Sequence, residues 1–208
     1  MDYLQQLIQR YPALSSVSGD IQRACELLID VYKKKGKLLI AGNGGSAADA
    51  EHISGELMKG FVKKRCPPPE FIAKLRMTDP GAADYLGSSL QRGLSVIPLT
   101  LNPALSTACI NDIDGGIIFA QQVYGYGQSG DAFLGISTSG NAKNVINAAI
   151  TARAMGLKTI ALSGGSGGEL KKFSDVSIIV PEKETYKIQE LHIPVYHTIC
   201  LILEDYFF

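Results

Sequence analysis

Apolar residues cluster in five short runs, at 37–41, 94–101, 131–136, 158–162 and 176–180, each bounded by turn-forming residues. Apolar and polar positions do not alternate within them, which suits parallel strands covered on both faces. Between the runs, helical patterns occupy 46–60, 104–110, 115–126, 141–156 and a shorter stretch at 167–173. Strand–helix alternation of this kind predicts an α/β architecture, a doubly wound five-stranded parallel sheet flanked by helices. Residues 1–35 read as N-terminal helices, broken near Pro12 and restarted after 16–18. The second of these spaces Ile21, Ala24, Cys25, Leu28 and Val31 along one face and ends at a basic turn with Gly36 as its C′ glycine. A long C-terminal helix is predicted over 184–206, kinked where Pro194 removes a backbone N–H and frees the Glu190 carbonyl.

Residues 62–94 break the rhythm with Pro67-Pro68-Pro69 and Asp79-Pro80-Gly81, leaving helical pieces at 71–76 and 82–90. A connection of this length inside a compact unit is expected to be a lid, a binding loop or an interface element. The whole of 1–208 then reads as one domain with a long, insertion-like connection.

Composition narrows the function classes. Lys+Arg and Asp+Glu are both 20, so a sequence-independent nucleic-acid surface is not expected. The apolar runs are too short to span a bilayer, and the N-terminus lacks the basic and apolar segments of a signal peptide, which predicts a cytosolic protein. Cys25, Cys66, Cys109 and Cys200 form no Cys-x-x-Cys pair and imply neither a disulfide framework nor a zinc knuckle.

The chemistry concentrates in three glycine-rich turns and two helices. Gly42-Asn43-Gly44-Gly45-Ser46 follows the first strand and opens a helix, a geometry that aims backbone N–H groups at an anion. It also fits Gly-x-Gly-x-x-Ala, but the region about twenty residues on has neither the strand nor the carboxylate a dinucleotide needs, and no Gly-Lys-Ser/Thr makes it a P-loop. A nucleotide cofactor is therefore not expected. Ser137-Thr138-Ser139-Gly140-Asn141 again links a strand to a helix, and three successive hydroxyls exceed what a single N-cap uses. A phosphate site is the better reading. The third turn, 163–168, reads equally as a ligand loop or a tight turn. His52 and Glu56 share a helical face, while Gln189 and His197 lie near one face of the last helix, which also carries Glu190 and His192.

Taken together, the order of these motifs resembles the sugar-isomerase (SIS) domain family, and within it the phosphoheptose isomerases. The carrying segments are Gly42–Ser46 with His52-x-x-x-Glu56, Asn111-Asp112, Gly130-Asp131 leading to 137–141, and Ile188–His192 with His197. The resemblance implies the SIS fold, a homotetramer with sites at subunit interfaces, and isomerisation of sedoheptulose 7-phosphate to D-glycero-D-manno-heptose 7-phosphate through an enediol(ate). It further implies Glu56 as base with His197 as acid–base partner, phosphate on Ser137, Thr138 and Ser139, and substrate contacts from Asn43, Gly44, Gly45, Ser46, Asn102 and Gln189. His52, Glu56, Gln189 and His197 would form the zinc site seen in some members. Three positions depart from the family pattern: Ala142 for a phosphate-binding serine, Asn102 for a frequent aspartate and Gly60 for a frequent arginine. These leave a rival expectation, a non-catalytic SIS sensor or adaptor that binds a sugar phosphate or a partner such as a replication initiator protein.

Overall fold

The computed structural model describes residues 2–208. Five parallel strands, β1 (Leu38–Gly42), β2 (Val96–Pro98), β3 (Ala132–Ile136), β4 (Lys158–Gly164) and β5 (Val176–Val180), form one sheet in the order β2-β1-β3-β4-β5. Successive side chains leave opposite faces of the sheet. Leu38, Ile40, Leu134, Ile136, Ile160 and Leu162 thus enter one core, and Leu39, Ala41, Phe133 and Ala161 another. The first core is closed by α2 (Ser18–Lys33), α3 (Gly45–Met58) and α9 (Thr185–Phe207), through Ile21, Ile53, Tyr196 and Leu203 among others. The second is closed by α7 (Ile118–Tyr126) and α8 (Lys143–Ala154), through Phe119, Val123, Val145 and Ala149. Each such Leu, Ile or Phe removed from water contributes roughly 1.5–3 kcal/mol, which is why unalternated runs become central strands.

The N-terminal break falls as expected, with α1 (Tyr3–Arg10), a 3-10 segment and α2. The exit of α2 differs. The left-handed residue is Lys35, at φ 61°, and the N–H groups of Lys35 and Gly36 donate back to the carbonyls of Tyr32 and Val31. This is a Schellman closure in which Gly36 stands one place later than a C′ glycine. Gly36 is needed for another reason, because a Cβ there would meet Val31 and the Gly130 carbonyl. Just beyond, buried Asp131 accepts from the Lys37 N–H at 2.9 Å and from Lys37 Nζ at 2.6 Å, locking the starts of β1 and β3 together.

Strand β2 is shorter than its apolar run, since it is an edge strand and Pro98 has no N–H to continue the ladder. Residues 167–173 yield only a 3-10 turn at Leu170–Phe173. Helix α9 runs unbroken through Pro194, with the Thr198 hydroxyl donating to the Pro194 carbonyl at 2.8 Å. The irregular connection contains two helices, α4 (Pro69–Thr78) and α5 (Pro80–Ser89), joined by Asp79, whose side chain caps α5. They pack on each other, bury only Ala83 and leave Phe71, Met77 and Tyr85 exposed. Between α5 and β3 come β2, α6 (Pro103–Asp112) and α7. Among the described residues, no helix is long and apolar enough to cross a membrane.

Candidate active site

In an open parallel sheet, ligands bind beyond the carboxyl ends of the strands, where the strand order reverses. Here the reversal lies between β1 and β3, and the two turns singled out above leave those two strands. Gly44 stands at φ 55° at the head of α3, and a Cβ at Gly42 would run into the Ser46 backbone. A Cβ at Gly45 would strike the Gln189 amide, so glycine lets α9 approach this turn. Asn43 and Asn144 exchange side-chain amide bonds of 2.9 and 3.0 Å, tying the turn after β1 to the start of α8.

The turn after β3 is held from behind. Gly140, at φ 67°, packs so closely on Gly167 and Gly168 that a side chain on Gly140 or Gly168 would meet the other loop's backbone. The Leu170 N–H donates to the Gly140 carbonyl, and the Glu169 N–H to Asn141 Oδ1. The third glycine-rich turn is therefore a buttress for the second, and its Gly164, Gly165 and Ser166 also line a neighbouring pocket with Thr138 and Ser139.

Between the first two turns lies a cleft of about 360 Å³, lined by Asn43, Gly44, Gly45, Ser46, Ser137, Thr138, Ser139 and Gln189, with Ile136, Ala142 and Thr185 completing it. No ionisable side chain lines it. An anion there would be met by hydroxyls, side-chain amides and the unpaired amides of two helix starts. The hydroxyls do not cap α8: its N-cap is Ala142, which makes no side-chain cap bond. Asn102 does not join the cleft, since its side chain accepts from the Leu105 N–H as the N-cap of α6.

The ionisable groups gather on the facing surfaces of α3 and α9. His52 Nε2 lies 3.4 Å from Glu56 Oε1, and the His52 and His197 rings sit edge to face with centroids 4.9 Å apart. The Tyr196 hydroxyl lies 3.0 Å from His52 Nδ1 and donates to Asp49 Oδ1 at 3.3 Å. With that hydroxyl's proton on Asp49, the network assigns N–H to His52 Nδ1 and turns Nε2 towards Glu56. Burial, reinforced by the neighbouring His52, holds His197 below the usual histidine range, although Glu56 pulls the other way. His197 Nε2 is buried without a hydrogen-bond partner. Burial raises Asp49 above the usual carboxylate range against the Tyr196 bond and His52.

Of the four side chains that the resemblance implies as a zinc site, His52, Glu56 and His197 meet, with His52 Nδ1 on the Tyr196 hydroxyl and Nε2 towards Glu56, while Gln189 lines the cleft. Among the described residues, no group of three or more His, Cys, Asp or Glu side chains is arranged to hold a metal ion.

One of the departures gains a reason. Ala142 lines the cleft, and nothing in the structure explains the missing hydroxyl. Gly60 donates its N–H to Gln91 at 2.9 Å, and a Cβ there would collide with Gln91 and the Lys63 carbonyl. The long connection therefore excludes a larger residue at position 60. Asp49, Asn144, Thr185 and Tyr196 were not legible as site residues. Asp49 could have been found, since 49, 52 and 56 share one helical face; Tyr196 and Asn144 act through contacts across more than a hundred residues.

With this geometry in view, the relatives agree. Residues 2–92 and 93–164 match the family model described as SIS domain. The chain is 38% identical over 198 residues to the phosphoheptose isomerase of Helicobacter hepaticus, covering 95% of this chain and 88% of that one. It is 39% identical over 188 residues to that of Sulfurimonas denitrificans, covering 90% and 83%. The solved phosphoheptose isomerase of Neisseria gonorrhoeae superimposes with a TM-score of 0.76 at 31% identity, covering 97% of this chain and 94% of that one. That of Francisella tularensis does so with 0.78 at 29%, covering 98% and 95%. The chain belongs to the SIS-domain family and, within it, to the phosphoheptose isomerase group.

Proposed function

We propose that this protein is an aldose–ketose isomerase acting on sedoheptulose 7-phosphate. The observation that carries the reading is the pairing of a neutral, hydroxyl-lined anion cleft with a carboxylate–imidazole cluster on the adjoining helices α3 and α9. The phosphate would sit on Ser137, Thr138 and Ser139, anchoring one end of the sugar. Asn43, Gly44, Gly45, Ser46 and Gln189 would line its chain.

Isomerisation moves one proton between C1 and C2 and another between O1 and O2. Glu56 would remove the C1 proton of the ketose as O2 gains one, giving the enediol(ate). The same carboxylic acid would return its proton to C2 as O1 loses one, giving the aldose. The Glu56 side chain keeps 14% of its surface exposed, so in deuterated water its acidic proton exchanges with solvent before one is returned to C2. His197, kept neutral by its surroundings, can both give and accept a proton, as the exchange between O1 and O2 requires.

The test is incubation with sedoheptulose 7-phosphate in deuterated water. Formation of the aldose phosphate with deuterium at C2, abolished in Glu56→Gln, is the expected result. Sugar phosphate binding without proton exchange at C1 or C2 would favour the binding-only reading, and inertness towards every ketose phosphate would sink the isomerase. Assembly as a homotetramer belongs to the same proposal, and light scattering on the purified protein checks it.

A further inference from the structure

A buried ion pair unrelated to the anion cleft joins the two helices that carry the chemistry. Arg65 and Glu204 have fully buried side chains, and Arg65 Nε donates to Glu204 Oε1 at 2.8 Å. The rest of the guanidinium is spent on the end of α3: Nη1 donates to the Leu57 carbonyl at 2.7 Å and Nη2 to the carbonyl of Glu56 itself at 3.0 Å. These are carbonyls of a last helical turn, which the helix cannot satisfy internally. Glu204 also accepts from the N–H groups of Phe61, Val62 and Lys63, at 2.8, 2.9 and 3.2 Å. The Phe208 ring covers the guanidinium at 4.5 Å. Glu204 stands seven residues after His197, two turns along α9 and on the same face.

We propose that Arg65 and Glu204 are positioning residues that set the distance between Glu56 and His197. A buried charge pair brings little net stability over an apolar one, but it fixes geometry. Arg65 grips the backbone of the proposed base, and Glu204 is rooted in the helix of its acid–base partner. A fork with donors in fixed directions transmits that geometry; the point charge of lysine does not. Both residues act through Glu56 and touch no substrate.

The inference rests on the isomerase reading and is separable from it. Wild-type protein inert towards sedoheptulose 7-phosphate would count against that reading, whereas active wild-type protein allows the clamp to be tested. Arg65→Lys and Glu204→Gln should each lower kcat roughly 10- to 100-fold, with KM changed less than threefold, because a displacement near 1 Å costs about that much. The kinetic isotope effect on kcat with substrate deuterated at C1 should rise, as proton removal becomes limiting. A loss of folded protein would lower the apparent kcat without raising the isotope effect. Phe208→Ala, which uncovers the guanidinium but leaves both charges, supplies a milder version should the others not fold, with an expected two- to fivefold fall in kcat and the same isotope signature. A kcat within twofold of wild type in folded variants, a change confined to KM, or an unchanged isotope effect would overturn the proposal.

Discussion

The two halves of the site solve different problems with different materials. The cleft beyond β1 and β3 holds no ionisable side chain and relies on hydroxyls and backbone amides. The α3–α9 cluster is built almost wholly of ionisable groups: Asp49, His52, Glu56, Tyr196 and His197. A permanent anion needs fixed donors that do not titrate, and helix starts supply them. A proton that must leave and return needs groups that do titrate, sheltered enough to be tuned. Recognition and chemistry are thereby separable, and mutation can pull them apart.

The sharpest break is expected from Glu56→Gln. It keeps the shape of the cluster but should lower kcat about a thousandfold with KM nearly unchanged, read from steady-state kinetics. If KM rises instead, the division fails.

Next comes a pH effect from His192, which lies on α9 between Gln189 and His197. Its ring is buried, the Ser163 backbone lies close without closing a bond, and burial pushes its pKa down to about 4. The unfolded chain binds this proton near pH 6.5, so the native state loses stability as pH falls from 6.5 to 4 and has its full value above 6.5. The loss is about 3 kcal/mol by linkage. Denaturant melts of wild type and His192→Leu across that range should diverge towards acid, the variant losing less.

A smaller effect tests the cleft. Ser137→Ala removes a hydroxyl from a charge-assisted contact and should raise KM roughly tenfold with kcat unchanged. Ala142→Ser should shift KM the other way. Smallest is Tyr196→Phe, which frees His52 Nδ1 and leaves Asp49 without its donor. A fall in kcat of about fivefold is expected, in keeping with one hydrogen bond, and no change in KM.

The strands, their parallel pairing and the two strand-to-helix turns were legible because unalternated apolar runs and glycine–hydroxyl turns are local signals. Glu56 and His52 were legible for the same reason, four positions apart on one helix. Other features were not. Asn102 looks like a site residue in sequence and is an α6 cap, because any Asn before a helix can serve its backbone. Gly36 looked like the left-handed cap residue, yet the chain reverses one place earlier, at Lys35, whose side chain is exposed and free of the packing that confines Gly36. The close approach of the third glycine turn to Gly140 is a tertiary contact that no local pattern shows.

Sequence alone determined the α/β class, the two strand-to-helix turns and the pair on α3, since each depends on neighbours within a few residues. Only the tertiary structure decided which of these meet. The reversal of strand order put the first two turns side by side, and the antechamber of charge around Glu56 exists because α9 lies across α3. Tyr196, 144 residues from His52, and Glu204, 139 from Arg65, complete it. Pairings at that separation are paid for by core burial over the whole sheet, and no local pattern in the chain encodes them.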